Sequence, residues 1–278
     1  FLKKQYKEPI MVSSTDGVGT KTIFILENME NKLGMRVLGQ DIVNHCINDI
    51  LVKGAIPLMF LDYFASSSID SELVKSFVEG VSLSCRHSFC NLMGGETAEM
   101  PGVYQPGKID IVGTIVGVVE KSKMINGKKD IKLGNKVYGL KSNGPHTNGY
   151  SLIRRIYSQN KDLRVFPELL TSHKSYLDEI KLLWRNKIQI NGLCHITGGG
   201  FYDNIPRVLP EGLGVDLNFE IQDIYRKLGD IGGIEDRELL TVFNCGYGML
   251  IFVEEGVEMP RGYDYLGEVC EGEIKINC

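Results

Sequence analysis

The chain has 278 residues, 43% hydrophobic and 24% charged, with a formal net charge of −4. That length suits one large domain or two ordinary ones, and the apolar share can fill a core. No run of about 18 apolar residues is present, which excludes a membrane-spanning helix. Mild acidity with scattered Lys and Arg removes the electrostatic reason to expect nucleic acid.

Strand-like and helix-like stretches alternate along the chain, which predicts a mixed α/β architecture. Pro9 to Ser13 reads as a strand, Ser14 to Lys21 as a loop, and Thr22 to Glu30 as the helix it opens. Asp41 to Lys53 is expected to be helical, with Gly54 as its C-terminal cap. An apolar strand over Leu58–Phe64, a helix over Ser71–Ser84 and a short strand from Asn91 to Met93 follow. The β-branched run Ile109–Val119 predicts a buried strand. The lysine-rich segment Lys121–Gly134, with its Asn126-Gly127 turn signal, is the expected domain boundary, giving domains over 1–122 and 134–278. Beyond it come a strand at Lys136–Leu140, helices near Ser151–Ser158 and Ser175–Asn186, and a strand at Met249–Val253.

Seven cysteines, Cys46, Cys85, Cys90, Cys194, Cys245, Cys270 and Cys278, include no close zinc-type pair, and their odd number argues against a full disulfide set. Reduced thiols and a cytoplasmic location are expected. The chain opens at Phe1 without an initiator methionine. We therefore expect missing N-terminal residues and leave a targeting segment open.

Four loops concentrate chemistry-bearing residues. Ser14-Thr15-Asp16-Gly17-Val18-Gly19-Thr20-Lys21 lies between a strand and a helix. Its glycines suit either backbone amides approaching an anion or a plain tight turn. It lacks the Walker A spacing, and Asp16 offers a hard oxygen of the kind magnesium uses. On the helix from Asp41, a turn of about 100° per residue gathers Asp41, His45, Asn48 and Asp49 on one face, either solvated or functional. Asp62 stands inside the apolar run Leu58–Phe64, where a carboxylate is costly unless paired or metal-bound. Gly94–Gly102 places Glu96 and Glu99 three apart after a strand end. Ser142–Tyr150 is dense in small polar residues around His146 and Asn148. His195-Ile196-Thr197-Gly198-Gly199-Gly200-Phe201 closes the set, its glycines suited to an amide nest for a phosphate.

Taken in order, Asp16–Lys21, Asn48-Asp49, Leu61-Asp62-Tyr63, Gly94–Gly102, Ser142–Leu152, His195–Phe201 and Phe243-Asn244-Cys245-Gly246 resemble the aminoimidazole ribonucleotide synthetase (phosphoribosylformylglycinamidine cyclo-ligase) family. The resemblance runs from about Pro9 to about Met249. Gly-Gly-Glu-Thr-Ala-Glu-Met-Pro-Gly and Ser-Asn-Gly-Pro-His-Thr-Asn-Gly-Tyr-Ser-Leu are its specific parts. It implies a homodimer of two-domain α/β subunits whose N-terminal sheets pair into a barrel, with the active site in the cleft between domains.

The implied activity is a ligase reaction of purine biosynthesis. Formylglycinamidine ribonucleotide and ATP give aminoimidazole ribonucleotide, ADP and phosphate through a phosphorylated amide. Carried onto this chain, the resemblance makes Asp16 and Asp49, with Glu96 third, the magnesium carboxylates, and sets Lys21 against phosphate charge. His146 is a candidate proton carrier. Gly17, Gly19, Thr20, Asp62, Glu99, Ser142, Asn148, Thr197, Gly198, Gly199 and Gly200 fall to ATP and substrate binding. The chain departs from the family pattern at Ser172-His173-Lys174-Ser175, at Thr241-Val242 and over Glu254–Gly267. It also lacks the family's N-terminal glycine-rich segment. Alternatives are a related phosphotransferase of the selenophosphate synthetase or thiamine-phosphate kinase type, or a weakly catalytic nucleotide-binding homologue.

Overall fold

A computed structural model describes residues 2–278, so the expectation resting on Phe1 lies outside the described residues. The chain divides into two compact units. The first runs to Met124 and also takes in Tyr150–Ser175; the second comprises Ile125–Gly149 and Tyr176–Cys278. Among the described residues no helix is long and apolar enough to cross a membrane.

In the first unit the chain runs through α1 (Leu2–Gln5), β1 (Pro9–Gly17), α2 (Lys21–Asn28), α3 (Asn31–Leu51), β2 (Ile56–Ser66), α4 (Ser71–His87), β3 (Asn91–Glu99) and β4 (Ile109–Glu120). The sheet order is β1-β4-β2-β3. β4 is antiparallel to both neighbours, and β2 and β3 run parallel across α4. The helix starts follow from local chemistry: the Glu30 carboxylate accepts the Lys32 and Leu33 amides, and the Asp70 carboxylate those of Glu72 and Leu73. Gly54, at φ +77°, lets the chain leave α3.

β4 alternates from Asp110 to Gly117, with Ile111, Gly113, Ile115 and Gly117 buried and Val112, Thr114 and Val116 half-exposed, before Val118 and Val119 are both buried. A side chain at Gly113 would meet Ile42 at 2.7 Å, and one at Gly117 would meet Ile50 at 2.5 Å, so these glycines let α3 lie close on the sheet. Where α3 crosses α4, added carbons at Gly39 and Gly80 would collide with the opposite helix's backbone. Both helices cover one sheet face. The other carries half-exposed Val112 and Val116 beside Met11 and Leu61, which are 50% and 40% exposed.

Three expectations needed revision here. Ser14–Gly17 belongs to β1, leaving only Val18–Thr20 as the turn. The Gly94–Glu99 stretch, read as loop, continues β3, because pairing with β2 accepts glycine where Asp62 crowds Gly95. The polar face of α3 is not solvated: Asp41, His45 and Asn48 are buried.

Tyr150–Ser175 supplies α6 to this unit, the α5 label belonging to a short helix described next. α6 (Tyr150–Gln159) lies against α2, where Phe24 meets the Tyr150 and Tyr157 rings. The second unit contains α5 (Gly127–Asp130), β5 (Lys136–Lys141), α7 (Leu177–Arg185), β6 (Gly192–His195), α8 (Gly200–Asn204), β7 (Leu213–Asn218), α9 (Asp223–Gly232), α10 (Asp236–Val242), β8 (Tyr247–Val253), β9 (Asp264–Glu271) and β10 (Lys275–Asn277). Its strands are ordered β10-β7-β9-β5-β8-β6, with the wholly buried β8 near the middle of the core.

Candidate active site

The first unit brings two predicted metal carboxylates together. Asp16 ends β1 and Asp49 lies on α3, and both point at one imidazole. The Asp16 and Asp49 Oδ2 atoms lie 3.1 and 3.7 Å from His45 Nε2. The Ser14 hydroxyl donates to Asp49 Oδ2 at 2.9 Å, and the Gly17 amide donates to Asp16 Oδ1 at 2.6 Å. Burial alone would lower the His45 pKa. The hydrogen bond that His45 donates to the Asp16 carboxylate and the fields of Asp49, Asp16 and Asp41 outweigh it and raise the value.

Two aspartates converging on a single imidazole nitrogen, each partly exposed, form a donor set that suits magnesium, which takes one or two carboxylates and leaves room for water and phosphate. Glu96 does not join them. β3 is three strands from β1, and the register places Glu96 with Tyr63, Val112 and Gly17 on the sheet face away from α3. Asp16 and Asp62 share one row across the sheet, with Gly113 between them. Burial raises the pKa of the half-buried Asp62 carboxyl. Glu99 is engaged locally, accepting the Ile69 amide at 2.8 Å.

Lys21 departs from the expectation that it faces phosphate. Its ammonium is fully buried, 2.8 Å from Asp41 Oδ1 and 2.7 Å from the Thr171 carbonyl oxygen, and it lies over the Tyr150 ring. Burial pushes Lys21 down and Asp41 up, against the attraction between them. Asp41 Oδ1 also accepts the His173 amide at 2.6 Å. Asn44 and Asn48 donate to the His173 and Lys174 carbonyls at 2.7 and 2.8 Å, and the His45 and His173 rings are 5.0 Å apart. The α3 polar face therefore clamps Thr171–Lys174, where the chain departs from the family pattern. Asp41, Asn44 and Asn48 were missing from the sequence-based site. Their spacing on α3 was the available signal, but it does not distinguish a clamp from a wet surface.

Gly19, at φ +66°, forms the turn before α2, where an added carbon would meet nothing. Thr20 Oγ1 lies 3.1 Å from Ser151 Oγ. A separate cavity of about 350 Å³ lies among α2, α3, α4 and the start of β4, and no predicted site residue lines it.

In the second unit Asn244 organises the Ser142–Gly149 loop. Its Oδ1 accepts from the Ser142 hydroxyl at 2.9 Å, the Tyr225 hydroxyl at 2.7 Å and the Gly246 amide at 3.0 Å. Its Nδ2 donates to the Gly144 carbonyl at 2.9 Å. His146 is buried at φ +62°, with its ring 6.0 Å from Tyr176. A side chain at Gly248 would strike both rings. Asn148 lies against the glycine triplet, its Oδ1 3.4 Å from where a Gly198 β-carbon would stand, and its buried Nδ2 has no hydrogen-bond partner among the described residues. Gly199 and Gly200 have φ of +87° and +58°. Asn204 ties the turn by donating to the Thr197, Gly198 and Gly200 carbonyls, and the Thr197 hydroxyl donates to Asn204 Oδ1 at 3.3 Å. Gly200 has no room for a side chain, because the Leu240 carbonyl would collide with it.

Residues 6–119 match the family model of the AIR synthase related protein N-terminal domain, and residues 132–262 that of the C-terminal domain. A phosphoribosylformylglycinamidine cyclo-ligase of Clostridium perfringens is 45% identical over 91% of this chain and 77% of its own length. One from Thermoanaerobacter pseudethanolicus is 42% identical over 98% of this chain and 86% of its own. Among solved structures, the fold resembles thiamine monophosphate kinase from Aquifex aeolicus (TM-score 0.69, 16% identity, 96% of this chain and 87% of that one). It also resembles the hydrogenase maturation protein HypE in complex with ATP (TM-score 0.72, 17% identity, 94% and 77%). Matched by both domain models and by relatives 42% and 45% identical over most of their length, the chain belongs to the phosphoribosylformylglycinamidine cyclo-ligase family.

Proposed function

We propose that the chain is an ATP-dependent ligase that closes formylglycinamidine ribonucleotide to aminoimidazole ribonucleotide in purine synthesis. The observation that carries this reading is the convergence of Asp16 and Asp49 beside the turn into α2, in a chain of the cyclo-ligase family. An amide oxygen is a poor leaving group until phosphorylated, so transfer of the γ-phosphoryl from ATP to the formyl amide oxygen makes ring closure possible. The amidine nitrogen then attacks the formyl carbon and phosphate departs. Such a reaction asks its protein mainly for positioning and charge stabilisation.

Magnesium, held by Asp16 and Asp49, would neutralise phosphate charge. Ser14 orients Asp49 through its hydroxyl. The amides around Gly17, Gly19 and Thr20 are assigned to ATP phosphates, and Asp62 to the same nucleotide. Lys21 serves by position, pinning the first turn of α2 to Asp41 and Thr171. In the second unit the free Asn148 amide donor, Thr197 and Gly198–Gly200 take the ribonucleotide, with Ser142 and Asn244 setting the loop. His146, within that loop, is the proposed proton carrier.

The domains take the bounds 1–122, for ATP binding and dimerisation, and 134–278. In the homodimer we propose, the uncovered first-unit sheet faces pair into a barrel, which would bury Met11 and Leu61. The seven free thiols fit a cytoplasmic setting. The test is Asp49→Asn assayed at limiting magnesium. Loss of a metal ligand should raise the magnesium requirement about tenfold or more, given what outer contacts alone cost. Wild-type turnover at limiting magnesium would reject the metal assignment.

A further inference from the structure

The end of α4 holds two thiols that the cyclisation chemistry does not use. The helix closes with Cys90 N donating to Cys85 O at 2.8 Å and Phe89 N to Arg86 O at 3.2 Å, while Phe89 takes the left-handed conformation at φ +55°. That pairing is a Schellman ending, in which the side chains at the first and last positions meet. Here those positions are Cys85 and Cys90, which sets the two side chains beside each other at the helix end. Their mutual influence favours the thiolate at Cys90 over Cys85.

Both cysteines are buried, at 2% and 6% exposure, at the end of a helix. Phe89 is 86% exposed and occupies a backbone region costly for a non-glycine residue. A helix terminus is where local opening costs least. Cys46, Cys194 and Cys245 have no such arrangement: each is buried, in or next to a different element, and burial raises its pKa.

We propose that Cys85 and Cys90 form a redox-active dithiol that a small-molecule disulfide such as oxidised glutathione converts to an intramolecular disulfide. The Cys90 thiolate attacks one glutathione sulfur, and the first glutathione leaves as thiolate. The Cys85 thiolate then attacks Cys90 Sγ in the mixed disulfide and expels the second glutathione. The two protein thiols lose two electrons and two protons, and the glutathione disulfide gains them. The bond would fasten α4 to the residue immediately before β3, the strand carrying Glu96 and Glu99. This proposal does not depend on the ligase reading.

The test is to incubate the folded full chain with oxidised glutathione, block remaining thiols with N-ethylmaleimide, and map tryptic peptides by mass spectrometry. Cleavage after Arg86 separates the two cysteines, so the disulfide appears as a linked peptide pair that reduction releases. Cys85→Ser should instead trap Cys90 as the glutathione mixed disulfide. The proposal is overturned if wild-type Cys90 accumulates as a stable mixed disulfide. It is equally overturned if both thiols remain maleimide-reactive on denaturation after exposed Cys278 has been fully glutathionylated.

Discussion

Lys21→Met isolates the buried pair beneath the nucleotide turn. The substitution keeps most of the buried stem and deletes the ammonium, leaving Asp41 with the His173 amide and only the weaker field of His45. Removing one partner of a buried ion pair costs about 3–5 kcal/mol. For a folded unit of this size, roughly 2–4 °C per kcal/mol gives a drop in melting temperature of about 6–20 °C. The loss should depend on pH. Burial already raises the Asp41 pKa and Lys21 opposes that rise, so the variant's Asp41 should titrate higher still. A raised folded-state pKa gives stability present below the unfolded carboxylate pKa, about 3.9, and lost as pH rises through the folded value. The deficit should therefore be largest at neutral pH and shrink toward pH 4. Lys21→Met/Asp41→Leu replaces the pair with apolar groups and takes the Asp41 acceptor from the His173 amide, a cost of about 1–3 kcal/mol, so it should be more stable than Lys21→Met alone. Thermal unfolding followed by circular dichroism from pH 4 to 8 measures all of this. A single variant melting within 2 °C of wild type, or a double variant losing the full sum of both singles, would refute the reasoning.

The glycine triplet separates binding from folding. Gly198→Ala has room except beside Asn148, so it should keep the melting temperature while weakening ribonucleotide binding, whereas Gly200→Ala should unfold the second unit at much lower temperature. Equal loss of ATP and ribonucleotide affinity in Gly198→Ala, read by calorimetry, would move this loop to the nucleotide. The uncovered first-unit sheet predicts a dimer by sedimentation velocity at micromolar concentration. A monomer there, or a dimer undisturbed by Leu61→Arg, would count against pairing through that face.

Much of the fold was legible because periodicity and capping agreed. Helix α4 starts at Ser71 as its sequence pattern predicts, and β4 coincides with the β-branched run. The reading failed where backbone pairing overrides residue type. Gly94-Gly95 looks like a loop but lies in β3, because its ladder with β2 leaves no room for a side chain beside Asp62. β7, β9 and β10 carry no clean alternation over enough residues to be read in advance.

For the site, Asp16 and Asp49 were joined as a pair only by the family resemblance: taken alone, Asp16 read as a hard oxygen in a glycine loop and Asp49 as one member of the polar stripe on the next long helix. The destination of that stripe was not readable. Asp41, Asn44 and Asn48 hold the backbone of residues more than 120 positions away, and nothing in local spacing announces a clamp on Thr171–Lys174. Lys21 misled for a related reason: a lysine ending a glycine turn suggests phosphate, and only the packing shows that a buried carboxylate claims it.

The central claim is that this chain couples ATP cleavage to closure of the imidazole ring, and one assay addresses it directly. The purified protein is incubated with ATP, magnesium and formylglycinamidine ribonucleotide, and ADP and aminoimidazole ribonucleotide are quantified together. The account predicts one ADP per aminoimidazole ribonucleotide, with ADP release falling to background when the ribonucleotide is omitted. ADP release that is indifferent to the ribonucleotide, or the absence of any aminoimidazole product from folded protein, would contradict it.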